Sequence, residues 1–264
     1  MASTAGELTV RSGRVKHARR LATRAFRAKT GEFLAEGPQA VRAALARPGT
    51  TLEVFSTAEA YDRHRDLVGA ALEGAVAWHV VTDDVVAEIA DAVSPQGVVA
   101  RCHSVIADLS AVAGARFVVV CADIRDPGNA GAVIRCADAA GADAVIFAGD
   151  CVDPLGPKAV RASAGSVFHV PVVVDRGVAH VLAGLRESGL TVLAADGHGD
   201  VDLFAADLSV PTAWLFGNEA WGLPADVRAL ADHVVAIPIY GQAESLNLAT
   251  AAAVSLYASA RALH

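Results

Sequence analysis

The sequence predicts an α/β protein of two units, a small N-terminal α/β unit followed by a larger one built on a parallel sheet. Three observations predict it. Short apolar, β-prone runs alternate with helix-like segments from about residue 33 to residue 262, the pattern that makes strands covered by helices on both faces. A chain of 264 residues, 53% of them hydrophobic, holds enough apolar surface for two modest cores. Three polar turns, at residues 123–129, 217–224 and 237–247, each follow an apolar run, and ligands of open α/β sheets sit outside the carboxyl ends of the strands.

The elements follow in order. Residues 11–29 carry eight Lys or Arg and no acid, and residues 1–30 are expected as a basic arm or helix. Arg19, Arg20, Arg24 and Arg27 lie within about two helical turns, so a helix brings them to much of one side. Residues 33–35 read as a strand, and Gly37 and Pro38 open a helix over 39–46 that Pro48 and Gly49 stop. Strand 52–56, helix 58–73, strand 78–81, helix 83–92 and strand 97–102 complete the first unit, expected over 31–107. Residues 104–116 loosen the pattern ahead of the β-prone run FVVVCA. The second unit, expected over 115–264, reads as strand 117–122, helix 130–140, strand 144–147, helix 157–162, strand 168–174 and helix 179–187. Strands 191–195 and 213–216, helix 225–231, strand 234–237 and helix 245–262 follow.

Composition excludes several function classes. No apolar run approaches the roughly 18 residues of a spanning helix, and the start of the chain has no uninterrupted apolar signal core, so the expected compartment is the cytoplasm. Cysteines 102, 121, 136 and 151 have neither disulfide-framework nor CxxC spacing and are expected as reduced core residues. The nine histidines include no HxxxH or HExxH pair, so no metal is expected. Neither GxGxxG nor GxxxxGK[ST] follows any strand, which leaves ordinary dinucleotide and P-loop sites unsupported. Net charge is −7, yet removing the eight N-terminal cations leaves 14 basic against 29 acidic residues, a balance of −15. A basic segment on an acidic body suits a phosphate backbone as readily as it suits a solvated helix face.

The three blocks DIRDPGNAGAVIRCADAAGADAVIF, LFGNEAWGLP and IPIYGQAESLNLATAAAVSLYASAR resemble, in order and spacing, the signature of the SpoU (TrmH-type) family of RNA ribose 2′-O-methyltransferases in the SPOUT superfamily. FLAEGPQAVRAAL resembles the start of that family's substrate-binding domain. The resemblance implies a C-terminal domain with a trefoil knot, S-adenosylmethionine as cofactor, structured RNA as substrate, ribosomal more than transfer RNA, and a homodimer. The positions that match the family's cofactor contacts are Leu215, Gly217, Ile237, Leu246 and Asn247. Glycine admits close backbone approach and also simply permits a turn; Ile237 and Leu246 suit either adenine walls or the core. The matching catalytic positions are Asn129, Arg135, Glu219, Ser245 and Asn247. An arginine is always protonated, so Arg135 is expected to hold a phosphate and stabilise developing charge instead of acting as base. Glu219 is placed to cap the following turn or to orient Asn129, and Ser245 is a good N-cap for the last helix. Lys158 and Arg161 would extend the RNA-facing positive surface or simply solvate a helix. Two departures stand out: Ala220 and Trp221 precede Gly222, and NLAT stands at 247–250. A non-catalytic RNA-binding or ribosome-assembly protein on the same fold, and a transfer RNA ribose methyltransferase, are the alternatives.

Overall fold

The computed structural model describes residues 8–263, so residues 1–7 of the basic arm lie outside the described residues. The chain divides into two compact units, one of residues 1–105 with 155–169, the other of residues 106–154 with 170–264.

The first unit opens with helices α1 (Gly13–Arg20) and α2 (Arg24–Thr30). Val15, Ala18 and Leu21 bury against Leu34, Phe55, Val85, Val86, Ile89 and Val99. From Val15 onward the expected arm is therefore part of a core, because its cations alternate with an apolar stripe. Strand β1 (Glu32–Glu36), helix α3 (Pro38–Ala46), strand β2 (Thr51–Ser56), helices α4 (Ala58–Arg63) and α5 (Arg65–Glu73), strand β3 (Ala77–Val80), helix α6 (Asp83–Ile89) and strand β4 (Val98–His103) follow. The sheet order is β1-β4-β2-β3, with only the β2/β3 pair parallel. The single helix expected over 58–73 is broken at His64, whose ψ is 52°. No residue from Tyr61 to Asp66 is buried, so packing does not hold that turn in line, and packing supplies most of a short helix's stability.

The second unit holds the short strand β5 (Ile106–Ala107), a 3-10 turn (Leu109–Val112), strand β6 (Phe117–Ala122), helix α7 (Pro127–Ala139) and strand β7 (Ala144–Ala148). Helix α8 (Pro157–Ser163) comes next in sequence but folds with the first unit. Strand β8 (Val172–Asp175), helix α9 (Val178–Glu187), strands β9 (Thr191–Ala195), β10 (Val201–Asp202) and β11 (Thr212–Phe216), helix α10 (Ala225–Arg228), strand β12 (His233–Ala236) and helix α11 (Leu248–Leu263) complete it. The sheet order is β10-β12-β9-β11-β6-β7-β8-β5, parallel at every pairing. Residues of β6 alternate between faces: Val118, Val120 and Ala122 pack with Val181, Leu182 and Leu185 of α9. The opposite face is covered by α7 and α11, and Trp214 of β11 donates its indole N–H to Ser259 of α11 at 2.8 Å. Burial on both faces explains the unbroken apolar run FVVVCA.

Two further expectations are corrected here. The strand expected over 168–174 begins only at Val172: Pro171 bounds it, and Phe168 sits in a 3-10 turn, Ser166–Phe168, stacked on Phe33 in the first unit. The final helix begins at Leu248, not at 245, since Asn247 caps it, its Oδ1 accepting the Ala249 N–H at 2.9 Å.

Candidate active site

Strands β6 and β11 are neighbours at the middle of the parallel sheet, in register from Thr212 against Phe117 to Phe216 against Cys121. From β6 the chain moves outward through β7 and β8; β11 lies on the other side with β9, β12 and β10. The turns leaving β6 and β11 thus open side by side at a topological switch point, the place where such sheets bind ligands.

Both turns are rigidly tied. Asp123, the first residue past β6, has φ 54°, a left-handed conformation that asparagine and aspartate tolerate better than most residues. Its carbonyl accepts the Asn218 Nδ2–H at 2.6 Å, and its carboxylate accepts the Asp150 N–H at 2.7 Å. A Cβ at Gly149 would stand 2.4 Å from that carboxylate, so glycine is needed there. Helix α7 starts with Pro127 at its first turn and Asp126 as cap, the Asp126 Oδ1 accepting the Asn129 N–H at 2.8 Å. The β11 turn folds back on itself: Asn218 N–H donates to the Gly222 carbonyl at 3.0 Å and Gly222 N–H returns the bond at 2.9 Å. A Cβ at Gly217 would meet the Gly222 carbonyl carbon at 2.5 Å and the Leu223 nitrogen at 2.6 Å. This self-contact accounts for glycine at 217 without any ligand.

At the centre, three expected residues meet, from the first turn of α7, the turn after β11 and the position that caps α11. The Glu219 carboxylate accepts from the backbone N–H groups of Arg125 (3.2 Å) and Asp126 (3.1 Å) and from Asn129 Nδ2 (3.2 Å). The Asn129 Oδ1 in turn accepts from Asn247 Nδ2 at 3.2 Å. The Glu219 carboxylate is thus bonded to the Asn129 amide, the contact that orienting Asn129 would need. Asn129 is half-buried, while Glu219 and Asn247 are exposed on its solvent side.

Other expected residues stand apart from this trio. Arg135 lies on α7 beyond Asn129, its guanidinium exposed and without a hydrogen bond or ion pair among the described residues. Ser245 is exposed in the irregular segment before α11 and does not cap the helix. Ile237 and Leu246 are half-buried at the two ends of that segment. None of residues 237–246 forms a hydrogen bond with another described residue. Leu215 is fully buried with Val118 and Ile146, so its side chain belongs to the core and not to a cofactor wall.

Two of the expected RNA-facing arginines are structural. Arg27 is 7% exposed and donates to the carbonyls of Leu21 (2.7 Å) and Ala22 (2.9 Å), groups that the end of α1 leaves unpaired. Arg161 bridges Glu36 at 3.1 Å and Asp91 at 3.2 Å inside the first unit. Arg19 pairs with Glu88, and Arg20 lies 4.1 Å above the Phe26 ring. Arg24 and Lys158 are exposed.

Sequence reasoning missed Asp123 and Asn218. Asn218 stands beside Glu219 in a turn block already singled out, and its 5% exposure is the sign of a structural amide. The left-handed conformation of Asp123 has no sequence signal beyond an Asp at a strand end. Among the described residues no group of histidines, cysteines and carboxylates is arranged to hold a metal ion. The buried thiols are unreactive: burial pushes Cys102 up to about 12 and Cys151 up to about 11.

Comparison with known proteins identifies the family. Residues 116–257 match the model of the SpoU rRNA Methylase family, and residues 13–100 match the MRM3-like substrate binding domain. The chain is 33% identical over 249 residues to a Bacillus subtilis 23S rRNA (guanosine(2553)-2′-O)-methyltransferase, covering 94% of this chain and 96% of that protein. The crystal structure of an AdoMet-bound rRNA methyltransferase from Sinorhizobium meliloti superimposes with a TM-score of 0.84 at 31% identity, over 97% of each chain. The SpoU methyltransferase AviRb of Streptomyces viridochromogenes, in complex with AdoMet, gives 0.84 at 32% identity over 95% of this chain and 98% of that one. With the second-unit strands, the three turns and both matched regions in agreement, the chain belongs to the SpoU rRNA methylase family.

Proposed function

We infer that the protein transfers a methyl group from S-adenosylmethionine to a ribose 2′-hydroxyl of ribosomal RNA. The observation that carries the reading is the bonded trio of Asn129, Glu219 and Asn247, which joins the first turn of α7, the turn after β11 and the residue that caps α11. The cofactor supplies an electrophilic methyl on a sulfonium. The chain's own residues hold the acceptor in line and stabilise the charge that grows on its oxygen, the two demands of this substitution. Arg135, exposed and unpaired, is the group proposed to grip a phosphate beside the target ribose through its two-pronged guanidinium. The acceptor proton passes to a phosphate oxygen or to water, since the guanidinium has no basic site to offer.

The proposed cofactor contacts are the backbone of Gly217 and of residues 237–246, the side chains of Ile237 and Leu246, and Ser245 and Asn247. Arg19, Arg20, Arg24 and Lys158, all exposed, are the proposed phosphate contacts. A homodimer working in the cytoplasm completes the proposal. The small-residue face of α11, with Ala252, Ser255 and Ser259, is already packed against α7 and β11 within one chain, so dimerisation would use other surfaces, and sedimentation equilibrium tests it.

Incubation with methyl-labelled S-adenosylmethionine and separate pools of unmodified ribosomal and transfer RNA tests the function. The expected result is label in ribosomal RNA, recovered after alkaline hydrolysis in a resistant dinucleotide. Label only on bases, or no label in any RNA despite cofactor binding, contradicts it.

A further inference from the structure

We propose that the indole of Trp221 is a stacking platform for a base of the RNA substrate beside the methyl acceptor. The proposal rests on the reading of the protein as an RNA ribose methyltransferase. Trp221 is 58% exposed, whereas Phe216 and Leu223, on either side of the same turn, are 1% and 6% exposed. The turn is not loose. Asn218 and Gly222 bond to each other in both directions, Asn218 Oδ1 accepts the Ala220 N–H at 2.8 Å, and Glu219 is held by Arg125 and Asp126. A rigid turn that buries its ends and presents its largest apolar side chain to solvent gives up burial free energy.

The chain's other two indoles are used for packing. Trp214 is fully buried with its N–H on Ser259, and Trp78 donates to Ser56 at 2.8 Å. Trp221 alone has its ring free, two residues from the carboxylate that orients Asn129. Sequence-specific RNA recognition works mostly on unpaired nucleotides whose bases stack on aromatic side chains. A ribose can lie in line with a methyl donor only if its nucleotide is drawn out of regular stacking, and a fixed ring beside the site replaces the stacking it loses. Such stacking serves any base, because every base has a π-face.

The same arrangement makes the test direct, because Trp221 is the most exposed of three tryptophans. Full-length wild type, Trp221→Phe and Trp221→Ala are titrated with a protein-free, unmodified 23S rRNA transcript and, separately, with S-adenosylmethionine. The transcript is expected to quench the red-edge emission of wild type, and Trp221→Phe is expected to lose that quench. Trp221→Ala is expected to raise KM for RNA about tenfold or more, with Trp221→Phe within about threefold of wild type and cofactor affinity unchanged in both. An unchanged KM in Trp221→Ala overturns the proposal. So does quenching by S-adenosylmethionine alone together with weakened cofactor binding in Trp221→Ala, which would make the indole a cofactor cover. If wild type methylates no RNA ribose, the functional reading fails separately, while the RNA-dependent quench and its loss in Trp221→Phe still decide the contact.

Discussion

Asn129 is fitted to its place because an amide both donates and accepts. Its NH₂ faces the Glu219 carboxylate, and its carbonyl faces the Asn247 amide. Asn129→Asp keeps the shape but sets a second carboxylate against Glu219, so the trio should spring apart. Single-turnover methyl transfer is expected to fall by about 100-fold or more, on the scale of losing a positioned polar group in an active site, while the melting temperature changes little. At Arg135 the test is the fork itself. Arg135→Lys preserves charge and loses bidentate grip, so kcat is expected to drop by about tenfold or more with cofactor affinity unchanged; near-normal single-turnover rates would show that only charge is needed.

Elements decide how these side chains are held. Gly217→Ala places a methyl on the backbone of Gly222 and Leu223, and backbone cannot step aside as a flexible side chain can. The turn must open, and calorimetric titration is expected to show S-adenosylmethionine binding weakened by about tenfold or more, the loss that follows when a pre-formed site is misplaced. In the first unit, Glu53 of β2 is 1% exposed and is held by Arg101 at 2.6 Å, Arg14 at 2.7 Å and His79 at 3.2 Å. Burial would raise its pKa, but the hydrogen bonds from His79 and Arg101 and the charges of Arg101 and Arg14 outweigh that, bringing it from 4.5 down to about 2. A depressed carboxylate stabilises the fold above its unfolded value and loses that contribution as pH falls through its folded one. Glu53→Gln is therefore expected to cost about 3 kcal/mol at pH 7, as removal of one partner of a buried ion pair does. Chemical denaturation across pH should show the difference from wild type shrinking between about pH 4.5 and pH 2, with the slope that linkage requires; a constant difference would mean that the charge is not what stabilises.

The whole molecule shows what the sequence could carry and what it could not. Strands such as 117–122 and 191–195 were legible residue for residue, since an apolar, β-branched run buried on both faces is a local signal. The family resemblance points to Asn129, Glu219 and Asn247 together with Arg135 and Ser245, and orienting Asn129 is one of the two roles expected for Glu219; the Asn247–Asn129 bond, which spans 118 residues, has no signal in the sequence. The return of residues 155–169 to the first unit was not legible. It depends on contacts such as Arg161 with Glu36, 125 residues apart, while periodicity reports only neighbours. For the same reason Arg27 and Arg161 read as RNA-facing cations: a charge run does not reveal which of its members will find a carbonyl or carboxylate inside the fold. A knotted path, which the family resemblance implies, is likewise a property of threading and leaves no mark on local pattern.

The central claim is that side chains from three parts of the second unit act as one catalytic arrangement, and a double-mutant cycle on Asn129→Ala and Glu219→Ala, read by single-turnover methyl transfer to ribosomal RNA, tests it most directly. If the trio works as a unit, the double variant loses little more than the worse single one, giving a coupling of about 1–3 kcal/mol. If the two losses multiply, Asn129 and Glu219 act independently and the account is contradicted.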